Sequence, residues 1–122
     1  MALERKLVLV LTGAALALGS LGVASAHESV APSKVSIKVA EDSFKGKVTS
    51  GSKSCVKKRK VTVFKKKNDK KVGSTKTNKR GKWSLDVSNP HGGYYAVVSK
   101  KTKVKYLHVH VCLPDESVSV KA

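Results

Sequence analysis

Beyond residue 33 the apolar residues of this chain recur at every second position, and that period constrains the fold more than any other feature. Val35, Ile37 and Val39 alternate with Ser36, Lys38 and Ala40, the two-residue repeat of a strand with one buried face. Phe44, Gly46 and Val48 alternate with Lys45, Lys47 and Thr49, and Val61 and Val63 begin a third run. A fourth strand is predicted over 72–77. A fifth covers 82–87, with Trp83, Leu85 and Val87 on one side, and a sixth covers 94–99. A seventh is predicted over 106–112, with Leu107, Val109 and Val111 sharing a face, and Val118 and Val120 close the fold. Between the runs, 50–54, 65–71, 78–81 and 89–93 are rich in Gly, Asn, Pro, Ser or Lys and read as loops, 78–81 as a tight hairpin turn. No stretch after residue 26 carries helical periodicity. Short, evenly spaced strands predict an all-β chain, a Greek-key β-sandwich of about seven strands.

The first 26 residues obey a different rule. Arg5 and Lys6 precede an apolar stretch from Leu7 to Val23, and Ala24, Ser25 and Ala26 follow, the order of charged, apolar and small residues found in a cleavable signal peptide. The stretch is short for a membrane span and is diluted by Thr12, Gly13, Gly19, Ser20 and Gly22. The reading is therefore an exported, secreted or envelope-associated protein with a signal helix at 1–26, no transmembrane span after cleavage, a flexible leader at 27–33 and one domain at 34–122. Its two cysteines, Cys55 and Cys112, then meet an oxidising compartment, where a disulfide is expected rather than two buried thiols. A bridge closing so long a loop stabilises by roughly 4 kcal/mol on the chain-entropy argument, a large share of the stability of a small domain.

The segments FKGKVTS, KRKVTVFKK, VGSTKTNKRGKWSLDV and GGYYAVVSKK resemble the transthyretin-like, carboxypeptidase regulatory-like (prealbumin-like) β-sandwich family. The likeness covers about residues 43–100 and extends to small secreted bacterial proteins with a cysteine ahead of the R-K-V strand. The family's turn motif corresponds to the stretch from Thr77 to Trp83, and its G-x-Y-x-[AV]-x-V strand to the stretch beginning at Gly93, which includes Tyr95. The resemblance implies a sandwich in which Gly81 takes a positive φ and Trp83 fills the space between the sheets. It also implies an accessory or structural module. The hormone binding and hydroxyisourate hydrolysis of particular relatives are not carried over, because their His, Arg and Ser motif has no match here.

Charge is the main functional signal. The chain has 25 Lys and Arg against 8 Asp and Glu, a formal charge of +17, a field that attracts polyanions. Lys57, Lys58, Arg59 and Lys60 form one cluster and Lys65, Lys66 and Lys67 another, and these seven are the expected contact surface for anionic envelope polymers or surfaces. Only three of the basic residues are arginines, Arg5, Arg59 and Arg80. Arginine is the residue suited to bidentate phosphate recognition, so specific nucleic-acid reading is not expected. The competing reading is that lysine merely solvates faces and protects strand edges.

Histidine suggests an alternative. After cleavage His27 leads the chain, and its amino group and imidazole, with His108 and His110 at i and i+2 of one strand, make a copper-binding reading available. Most of the carboxylates fall at predicted loops without a partner positioned for acid–base work, and no G-x-S-x-G, phosphate loop or zinc spacing appears, so neither catalysis nor a cofactor is expected. The sequence thus predicts a secreted, non-catalytic structural or adhesive module with a cationic surface.

Overall fold

In the computed structural model, which describes residues 27–122, the alternating runs become twelve short strands. They are β1 (His27–Ala31), β2 (Ser33–Val35), β3 (Lys38–Ala40), β4 (Ser43–Ser50), β5 (Lys60–Lys65), β6 (Lys71–Lys76), β7 (Lys82–Asp86), β8 (Gly93–Val98), β9 (Lys101–Lys105), β10 (His108–Cys112), β11 (Asp115–Glu116) and β12 (Val120–Lys121). Among the described residues one 3-10 turn spans Lys53–Cys55, and there is no α-helix. The expected signal helix lies outside the described residues. Among the described residues, no helix is long and apolar enough to cross a membrane.

Two sheets enclose the core. In one, β4 is central, with β2 and β3 end to end along one side and β7 along the other. The second runs β6–β5–β8, with β11 and β12 both pairing the outer side of β8. Phe44 and Val48 from the first sheet meet Val61, Val63, Tyr94, Ala96 and Val98 from the second, and all are buried. Phe44 and Tyr94 pack ring on ring at 4.7 Å. Burying this set removes from water the apolar faces that the period-two pattern creates, at roughly 1.5–3 kcal/mol for each large side chain.

Trp83 lies in the core at 4% exposure, opposite Gly46 on the neighbouring strand. The glycine is required there: a Cβ at position 46 would overlap the Ser36 carbonyl and stand 2.6 Å from Trp83 Nε1. Gly81 has φ of 82°, and a Cβ on it would overlap the Val48 carbonyl. Tyr95 alternates with the inward positions of β8, which are Tyr94, Ala96 and Val98. Its ring sits on the outer face, stacked on Phe64 at 5.4 Å.

A third, three-stranded sheet, β1–β10–β9, stands beside the sandwich. Residues 27–33, expected as a flexible leader, instead supply β1 and the start of β2, because β1 fills the open side of β10 in parallel register. The strand expected over 106–112 starts at His108, and Tyr106 and Leu107 form the turn that joins it to β9. The Cys55–Cys112 disulfide ties the base of this sheet to the 3-10 turn, closing a sequence separation of 57.

Candidate anion-binding surface

Each sheet of the sandwich sends its even or its odd residues outward, and along β3, β4 and β7 the outward residues include four lysines, Lys38, Lys45, Lys47 and Lys82. Lys38 stands opposite Lys45 across the hairpin turned by Glu41 and Asp42. Lys47 stands opposite Lys82 on the other side of β4. A third rung of the same kind, Lys60 opposite Lys76, joins β5 to β6. Like charges directly opposite on neighbouring strands oppose folding, so three such rungs are a cost borne by the fold.

Lys38, Lys45, Lys47, Lys76 and Lys82 line one cleft of about 800 Å³, together with Ser36, Ile37, Gly46, Thr75, Asn78, Trp83 and Ser84. Among the described residues no carboxylate lines it. The indole Nε1 of Trp83, buried beside Gly46, has no hydrogen-bond partner among the described residues, an unusual state for a buried donor.

The clusters singled out from the sequence are dispersed. Lys57, Lys58 and Lys60 lie before and at the start of β5, while Lys65, Lys66 and Lys67 lie at its far end and in the following turn. The length of a strand separates the two sets, roughly 17–20 Å for one of this size. Lys57 and Lys58 share a second groove with Lys53 and Lys79, again with no carboxylate in its lining. Beside it, burial pulls the Lys101 ammonium below the ordinary lysine range, and repulsion from Lys103, Arg59, Lys57 and Lys58 adds to the effect. Its Nζ donates to the carbonyls of Ser54 and Lys57 at 3.4 and 3.2 Å.

Arg59 is a correction to the expected contact surface, since its side chain is fully buried. Nη1 donates to Ser33 Oγ at 2.8 Å and to the Cys55 carbonyl at 2.6 Å. Nη2 donates to the carbonyls of Ser99 and Leu113 at 2.9 and 3.1 Å. The planar fork thus joins β2, the 3-10 turn, the end of β8 and the segment after β10. Desolvation pulls its pKa below the usual arginine value. Arg59 serves the interior, not a ligand at the surface.

The histidines converge in backbone position. His27 pairs in register with His108, and Ser29 with His110, along the parallel β1–β10 ladder. The rings of His108 and His110 lie 6.4 Å apart and nearly parallel, and Ser29 Oγ lies 2.7 Å from His110 Nδ1. Among the described residues, no group of three His, Cys, Asp or Glu side chains is placed to hold a metal ion.

No protein-family model matches the chain, and neither a curated protein nor a solved structure matches it.

Proposed function

We propose that this protein is a secreted, non-catalytic module of the transthyretin-like, prealbumin-like type that adheres to anionic polymers or surfaces of the cell envelope through its lysine-lined sheet. The observation that carries the reading is the pair of lysine rungs on β4. Edge protection accounts for lysines on outer strands, yet β4 is the central strand of its sheet, and Lys45 and Lys47 protect no edge. A multivalent anion laid across Lys38, Lys45, Lys47 and Lys82 turns their mutual repulsion into attraction. Each lysine near such a surface is worth about 1 kcal/mol, reduced by screening as salt rises.

The test is binding to polyphosphate and to polyglutamate across a salt series. Binding that is tight at low ionic strength, falls steeply with salt and is weakened by Lys45→Glu with Lys47→Glu supports the proposal. Absent binding at low ionic strength, or binding indifferent to salt or to the double substitution, overturns it.

A second reading, copper binding at the amino end of the mature chain, is favoured by the His27–His108 register. Once the chain is cut after Ala26, the new terminal amine belongs to a residue paired beside the His108 and His110 strand. Titration of Cu(II) into correctly processed protein, with and without His110→Ala, tests it. Unchanged affinity in the variant removes this reading.

A further inference from the structure

The β9–β10 hairpin is amphipathic in a way the sandwich does not need. Lys101, Lys103 and Lys105 share one face with His108 and His110, their register partners being Cys112, His110 and His108. The opposite face carries Val104 against Val109, with Val111, Val30, Thr102 and Glu28 on the same side. Among the described residues much of that face is open: Val104 is 66% exposed and Val30 52%, while Val109 and Val111 are half-buried. At the tip, Tyr106 and Leu107 are 88% and 61% exposed. Tyr106 also has φ of 54°, a conformation that two-residue hairpin turns normally give to Gly or Asn and that disfavours a bulky side chain. Folding alone argues against an aromatic residue at this point, and contact with a partner supplies a reason for it.

We infer that the hairpin tip inserts Tyr106 and Leu107 into the interfacial region of an anionic lipid bilayer, with Lys103 and Lys105 placed against the phosphates. The inference rests on the proposed attraction to anionic surfaces and names one such surface. Charge complementarity selects it over a purely apolar partner, since Lys103 and Lys105 of β9 flank the apolar tip. A tyrosine at the level of the headgroups keeps its ring in the apolar zone and its hydroxyl in the wet one. Lysine stems extend along the apolar surface while their ammonium groups remain with the phosphates.

The experiment is sedimentation of the protein with phosphatidylglycerol-containing vesicles and with pure phosphatidylcholine vesicles, alongside polyphosphate binding. Wild-type protein should bind the anionic vesicles, retain part of that binding at high salt and bind the zwitterionic ones weakly. Tyr106→Ser with Leu107→Ser should lower anionic vesicle binding roughly tenfold and leave polyphosphate binding unchanged. Tyr106→Gly, which suits the positive φ and so keeps the turn folded, should show a smaller loss of the same sign. Equal vesicle binding by wild type and both variants overturns the hairpin assignment while the polyanion proposal stands. Failure of the wild type to bind polyphosphate and vesicles alike overturns both. A wild-type dimer that the double substitution dissociates, with vesicle binding intact, makes a second copy of the chain the occupant and also overturns the inference.

Discussion

Lys47 and Lys82 stand directly opposite one another on β4 and β7, outside the same rung whose neighbouring inward position seats Trp83 on Gly46. The sheet is therefore pinned in this register by its interior while its exterior repels itself. A one-residue slip would relieve the lysines, but it would also turn Trp83, Phe44 and Val48 to solvent.

Removing half of that repulsion should separate stability from binding. Lys82→Glu converts a like-charged rung into an opposite-charged one and should raise stability by about 0.5 kcal/mol, read as a higher urea midpoint with an unchanged slope. The same substitution should weaken polyphosphate binding at low salt and flatten its salt dependence. A variant that gains stability and keeps full affinity would place the anion contact elsewhere on the molecule.

Gly46→Ala tests the inner side of the rung. The added methyl overlaps the Ser36 carbonyl and crowds the indole, and neither neighbour is the free end of a flexible chain. Overpacking of this kind typically costs about 1–3 kcal/mol, so the variant should melt earlier and shift the emission of Trp83, the chain's single tryptophan. A melting point equal to that of the wild type would mean that the β2–β3 junction yields freely.

Much of this was legible in residue parity. Lys38 and Lys45 flank a two-residue Glu41–Asp42 turn, so their pairing follows from a short hairpin once the alternation is read on both sides. Arg59 has the same parity as Val61 and Val63, which points it inward, and its isolation among lysines agrees with a site that needs a planar fork. Reading the basic run by charge alone hid this and put Arg59 with the surface cluster. Tyr94 likewise shares parity with Ala96 and Val98, which places Tyr94, not Tyr95, in the core. The Lys47–Lys82 rung was not legible, because it depends on a pairing between strands some 35 residues apart in the chain, chosen by the packing of both sheets. Nor was β1, since a parallel partner across some 80 residues leaves no local signal in a short polar segment.

Arg59 predicts a specific stability loss. Four acceptors, from Ser33, Cys55, Ser99 and Leu113, converge on its two terminal nitrogens, and an ammonium has three protons and no planar fork with which to replace it. Arg59→Lys should therefore destabilise the protein by about 2–3 kcal/mol despite conserving charge, and should loosen the β1–β10–β9 sheet first, because the Leu113 and Cys55 contacts lie at its base. Hydrogen exchange checks the order of opening. Uniform protection loss across both sheets of the sandwich would contradict a local role for the guanidinium, as would a denaturation midpoint equal to that of the wild type.

On the outer face of β8, the Tyr95 hydroxyl donates to Asp69 Oδ1 at 2.6 Å. Ionising the phenol would cost that hydrogen bond and place a phenolate beside a carboxylate. Its pKa is accordingly pushed up to about 12, first by the bond to Asp69, then by desolvation, and then by the charges of Asp69 and Glu116. An unfolded tyrosine ionises near pH 10, so the folded value lies above the unfolded one. The stabilisation carried by the pair is thus complete below about pH 10 and is lost as pH rises through about 12. Ultraviolet tyrosinate absorbance, taken as the difference between wild type and Tyr95→Phe, should show Tyr95 ionising late, and Asp69→Asn should bring that step down. Ionisation of Tyr95 near pH 10 in the native protein would mean that the field of the lysines around the Asp69 turn offsets the hydrogen bond, and a late step that persists in Asp69→Asn would mean that desolvation, not the bond, holds the phenol up.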